Sequence, residues 1–141
     1  MRNFIVILSV ILLSSCKTEV KKEKVIITKG KSPEPSEMAI LMKQMLQLNV
    51  ENKKKILEGK SPKGFPEVFL KIHSATLTTP SDRKPEFKMY SDFYLKNLRE
   101  VFEAPRDSLK MKHNNTINSC IACHQATCPG PISRIKKLLI N

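Results

Sequence analysis

Cys120-Ile121-Ala122-Cys123-His124 is the stretch on which the reading of this chain turns. Two thiols three residues apart, with an imidazole directly after the second, form the C-x-x-C-H pattern of covalent c-type haem attachment. The chemistry needs all three in that order. Each thiol can add to one vinyl group of the porphyrin, and the histidine can then place a ring nitrogen on the iron. Two other readings compete. A C-x-x-C redox pair expects a preceding strand in a βαβ unit, whereas Lys110 to Ser119 is polar and helix-compatible. A zinc site would recruit Cys128 or His113 as further ligands, yet the chain has no second C-x-x-C and no H-x-x-x-H. The expected cofactor is therefore one covalent haem c, with Cys120, Cys123 and His124 as its attachment residues.

Around the motif the spacing predicts a helix that starts after Asp107 or Ser108 and carries Ile117, Cys120, Ile121, His124 and Cys128 on one face. Pro129-Gly130-Pro131 stops it. Beyond lies a short amphipathic tail, with Ile132, Ile135, Leu138 and Leu139 set against Arg134, Lys136 and Lys137, expected to pack on the domain. Upstream, Phe87, Tyr90, Tyr94, Leu98 and Val101 repeat at helical spacing from Glu86 to Ala104, with Phe93 and Phe102 widening the stripe. Residues 77–85 hold Pro80 and Pro85 and read as a connection. A shorter helix is predicted from Phe65 to about Thr76, with Phe65, Val68, Phe69, Ile72 and Ala75 on its apolar side.

The first helix is announced by Ser32-Pro33-Glu34-Pro35, a possible cap with prolines and an acidic first turn, and is stopped by Gly59. Met38, Met42, Met45, Asn49, Asn52 and Ile56 share one of its faces. The fold class implied is all-α: an antiparallel four-helix bundle with the haem near its C-terminal helix, followed by the amphipathic tail. In such a bundle the first and last helices run in opposite directions side by side. His124 then stands level with the first turns of the first helix, where the methionines offer a thioether for the opposite face of the iron. Of the remaining candidates, His73 is expected in a surface or loop contact and His113 to be exposed. Cys128 is expected to be a small buried residue, with a free thiol near the haem or a dimerisation point as alternatives.

The amino terminus carries a separate signal. Met1-Arg2-Asn3 is a basic start, Phe4 to Leu13 an apolar run too short to span a bilayer, and Leu13-Ser14-Ser15-Cys16 ends it. This stretch resembles a bacterial lipoprotein signal of residues 1–15, with Cys16 the lipidated residue. Residues 16–33, rich in lysine, read as a basic flexible tether, and 34–141 as the haem domain. The whole chain has a formal charge of +12. Without residues 1–15 it keeps 24 basic residues against 13 acidic ones, a net +11. A charge of that size invites nucleic acid as a partner, but an export signal argues against it. The tether lysines could add an electrostatic membrane contact to the lipid anchor. Lys110, Lys112, Arg134, Lys136 and Lys137 flank the haem helix as a docking ring for an acidic redox partner, as propionate partners, or as a solvated face.

With C-x-x-C-H near the carboxyl end of a helical domain, the chain resembles the class II c-type cytochromes, the family of cytochrome c prime and its low-spin relatives, over about residues 34–128. The resemblance implies a left-handed four-helix bundle. In the low-spin branch a methionine near the start of the first helix ligates the iron; counted back from Gly59, the match falls nearest Met42, with Met38 and Met45 as neighbours. Family members often carry an aromatic residue and an arginine at the third and fourth positions after the haem histidine, where this chain has Thr127 and Cys128. The implied function is a membrane-anchored monohaem electron carrier of a bacterial respiratory or periplasmic redox chain, not an enzyme. The alternative is a five-coordinate haem protein that binds NO or CO, as in cytochrome c prime. The expected location is the bacterial cell envelope, with the haem domain periplasmic and held to a membrane by its lipid.

Overall fold

The structure, a computed structural model, describes residues 34–141, and the expected export signal, Cys16 and basic tether lie outside the described residues. All regular elements among the described residues are helical. The first, α1, runs Glu37–Leu57. Its cap is Ser36, later than the Ser32–Pro35 signal suggested: the Ser36 hydroxyl accepts from the Ala39 amide at 3.2 Å, satisfying one of the free donors of the first turn. Gly59 ends it as expected, with φ +69°. The Gly59 amide donates to Ile56 O at 2.9 Å and that of Lys60 to Lys55 O at 2.8 Å, the paired bonds of a Schellman stop.

The second predicted α-helix is instead a 3-10 helix, Glu67–His73. Its backbone closes i to i+3 bonds such as Phe69 N to Pro66 O. A segment this short, opened by a proline that cannot donate, settles for the tighter winding. Three residues per turn line up Phe69, Ile72 and Ala75 on the buried side and leave Val68 exposed, correcting its expected place on the apolar face. The segment is fastened to the start of α1. Glu37 accepts from the Thr76 amide and hydroxyl at 2.8 and 2.9 Å, and the Met38 amide donates to Thr76 O at 3.0 Å.

Helix α2, Phe87–Glu103, buries Phe87, Tyr94, Leu95, Leu98 and Val101. Phe93 falls on its outer side, half exposed, so it does not widen the core stripe as expected. Helix α3, Leu109–Ala126, follows a 3-10 turn at Arg106–Ser108 and buries Leu109, His113, Thr116, Ile117 and Ser119. The polar residues inside these helices bond back to their own turns: Asn49 Nδ2 donates to Met45 O, Asn97 Nδ2 to Phe93 O, and Thr116 Oγ1 to Lys112 O. Such local bonds let a short polar side chain sit in a helical core.

Helix α2 packs along α3, and α1 touches α3 and the 3-10 segment. The tail forms a short helix, α4, Ile132–Lys136, that packs against α3. Apolar residues of α1, the 3-10 segment and α2 form the larger core cluster, and Ile117 joins Ile135 and Leu138 of the tail in a second. Cys120 borders both clusters. The attachment motif therefore stands where the two cores meet.

Candidate functional site

Seven residues per two turns put Cys120, Cys123 and His124 on adjoining positions of the last turns of α3, and all three line one cavity of about 440 Å³. That lies within the roughly 300–1,000 Å³ of small-ligand and cofactor sites. Its wall facing them comes from α1, with Met38, Met42 and Met45, and from α2, with Tyr90, Ser91 and Tyr94. Leu77 and Thr78 close one side and Arg134, Ile135 and Leu138 of the tail another. The three methionines reach the cavity because they follow one another at spacings of four and three along α1. Met38 and Met45 are sunk in the core, whereas Met42 is only half-buried.

His124 is oriented by the residue four further on. Its Nδ1 lies 3.0 Å from the Cys128 carbonyl and 3.2 Å from the Cys128 sulfur. A carbonyl only accepts, so Nδ1 carries the proton and the Nε2 lone pair is left for a metal. Cys128 itself is exposed. This corrects its expected burial, whereas its expected place on the His124 face holds: the Cys128 amide donates to His124 O at 3.1 Å and the residue lines the same cavity.

Burial, with the neighbouring Cys123 adding to it, pushes the Cys120 thiol up to about 12. Burial also raises Cys123. Both sulfurs are held as neutral thiols, the opposite of the low-pKa thiolate on which disulfide exchange depends. His113, which a zinc site would recruit, is fully buried and turned to the tail, where Nε2 meets Leu138 O at 3.0 Å. This also overturns its expected exposure; the returning tail covers it. Among the described residues no three His, Cys, Asp or Glu side chains converge as a metal set.

The cavity fits a haem on chemical grounds. It is mostly apolar, it gathers two thiols and one imidazole on one wall and thioethers on another, and the imidazole's second nitrogen is already engaged. The buried side chains of Tyr94 and Asn49, close enough to interact with each other, belong to its lining. Desolvation, with Cys120 beside it, raises the Tyr94 phenol well above its ordinary value. Sequence reasoning placed Tyr94 and Asn49 on apolar helical faces without assigning them to a site. The signal available was their polarity within those faces.

His73 lies on the surface in contact with α2, as expected. Its Nδ1 is 3.2 Å from Ser91 Oγ and its Nε2 3.3 Å from Asp92 Oδ1. The three resemble a serine hydrolase triad only by composition. Ser91 Oγ also lies 2.9 Å from Lys88 O of its own helix, so its single proton is contested by that carbonyl and is not committed to the imidazole. Lys112 of the expected basic ring pairs with Glu100 of α2 at 2.8 Å, whereas Arg134 stands at the cavity rim.

Comparison with protein-family models, with curated proteins and with solved structures returned no match for this chain.

Proposed function

We propose that this chain is a lipid-anchored monohaem c-type cytochrome that carries electrons in a bacterial cell envelope, built as an antiparallel four-helix bundle. The observation that carries the reading is the convergence of Cys120, Cys123 and His124 on one apolar cavity that Met38, Met42 and Met45 of α1 also line. A haem held there supplies a one-electron ferric and ferrous couple.

Cys120 and Cys123 would be the covalent tethers, both on the last turns of α3. His124 ligates through Nε2, with the Cys128 carbonyl holding its ring and tautomer. Met42 would hold the iron through its thioether: it is half-buried at the cavity while its neighbours Met38 and Met45 are sunk in the core. A thioether is a soft ligand that favours the ferrous state and raises the potential. The apolar lining keeps water from the metal, which adds to the same effect. Attachment is through the lipidated Cys16; no helix among the described residues is long and apolar enough to cross a membrane. The partner is another redox protein with an acidic face, met through a small, salt-sensitive contact.

The test is the absorption spectrum of the purified protein, oxidised and reduced, beside Met42→Ala. Sulfur on ferric haem gives a weak far-red charge-transfer band, expected in the wild type and lost in the variant. A high-spin spectrum that shifts with carbon monoxide and ignores the substitution would remove Met42 as ligand and favour a five-coordinate gas-binding protein.

A further inference from the structure

The C-terminal tail is a wall of the cavity, and its own backbone is held by side chains from two other helices. Lys53 of α1 donates through Nζ to Lys137 O at 2.9 Å and to Leu139 O at 2.7 Å. Asn114 of α3 clamps Ile140 from both sides: Nδ2 donates to Ile140 O at 2.8 Å and Oδ1 accepts from the Ile140 amide at 2.9 Å. Beside it His113 binds Leu138 O. Between these anchors Ile135, Leu138 and Ile140 bury their side chains, and Ile135 and Leu138 face the cavity. The carbonyl of residue 138 is thus held by His113 while its side chain lines the cavity.

We propose that the tail is a hinged wall of the cavity and that His113 is its proton-sensitive latch, closed while the imidazole is neutral and released when it is protonated.

The chemistry follows from the tautomer. Leu138 O can only accept, so Nε2 carries the proton and Nδ1 is bare, buried and without a partner. A second proton would have to sit on Nδ1, where no acceptor meets it. The charges nearby oppose it. Lys53 presses from α1, Lys136 and Lys137 are on the tail, and Lys112 beside it on α3 is turned to Glu100 of α2. None of the described carboxylates pairs with His113. Burial, opposed by the Leu138 bond and aided by Lys53, holds the docked imidazole below its ordinary 6.5. A histidine whose docked value is depressed favours the docked state above the undocked value, and that preference is lost as pH falls through it. Between pH 7.5 and 5.5 an undocked imidazole titrating at about 6.5 shifts the opening equilibrium by up to about tenfold. Release would unseat Leu138 and Ile135 from the cavity and admit water to whatever the cavity holds.

The Ile140 amide, bonded to Asn114 in the docked tail, reports the latch directly. Its hydrogen-exchange protection, corrected for the intrinsic rate, is to be measured in the full-length protein at pH 7.5 and 5.5, with His113→Gln beside it. Glutamine can keep the bond to Leu138 O and cannot titrate. The expected result is up to a tenfold loss of protection in the wild type and little change in the variant. In the wild type alone, the loss should follow the protonation of the His113 ring seen by NMR, so the test survives a variant that does not fold. Protection that is constant between the two pH values, or an equal loss in His113→Gln, would overturn the proposal. Neither readout depends on haem, whose presence the absorption spectrum reports separately.

Discussion

Truncating Ile117 to alanine should cost more than any change at the surface, because this residue joins the tail to the helix that carries the attachment motif. Its side chain is fully buried. It forms a buried cluster with Ile135 and Leu138 of the tail, against which Leu46 of α1 and Cys120 and Ile121 of its own helix pack. Alanine removes three carbons, worth about 2.4 kcal/mol at roughly 0.8 kcal/mol per buried methylene. Walls supplied by three different elements cannot all close on the space, so a cavity penalty is added and the total should be about 3–4 kcal/mol. A domain of this size has roughly 5–15 kcal/mol of stability in all. Urea unfolding followed by far-ultraviolet circular dichroism measures the difference, with an unchanged slope as the sign that the denatured state is unaltered. Ile117→Val, which removes one carbon, should lose about 0.5–1.5 kcal/mol in the same assay. A loss below about 1 kcal/mol for Ile117→Ala at unchanged slope would refute the packing of the tail onto α3.

Gly59→Ala should destabilise the protein by about 1–2 kcal/mol, a cost of backbone alone: φ there is +69° and an added Cβ meets nothing within 4 Å. Gly130→Ala, equally free of contacts and without a positive φ, should be close to neutral in the same urea titration. Glu37 gives a pH dependence. The amide and hydroxyl of Thr76 hold its carboxyl below the ordinary 4.5, so its contribution is present above that value and fades as pH falls through the lower, folded one. Glu37→Gln should lower the urea midpoint at neutral pH, and the wild type's advantage should narrow as acid neutralises Glu37, the glutamine being neutral throughout.

The helices that could be read from the sequence are those whose signals are local. The 3.6-residue repeat of α2, the Schellman glycine at 59 and the proline stop after α3 all act within a few residues, and each stands where the pattern put it. The 3-10 segment was misread because Val68 and Phe69 fit an α-helical face as well as a 3-10 one, and only the winding decides which is buried. His113 was misread for a different reason. Its surroundings in sequence, Lys110 to Asn115, are polar, and its cover is the tail 25 residues away. Cys128 keeps its place on the His124 face, lining the same cavity, but it follows the end of α3 at Ala126 and its thiol is exposed.

At the site, the residues that do chemistry were legible and the residues that shape the cavity were not. Thiols and imidazole announce themselves by type and spacing, whatever the fold. The Tyr94 hydroxyl, Asn49 and the tail wall enter the site only once three helices and the tail are brought together. The role of the Cys128 carbonyl in setting the His124 tautomer is a backbone property and carries no residue signature.

The most direct test of the account is whether haem is bound to this chain through both thioethers. The protein is to be purified from cells that mature c-type cytochromes, unfolded in acidified organic solvent and digested, and the peptide containing residues 120–124 examined by mass spectrometry. The account predicts that the macrocycle stays with that peptide and that neither Cys120 nor Cys123 can be alkylated. Haem released on unfolding, with both thiols open to alkylation, would contradict it.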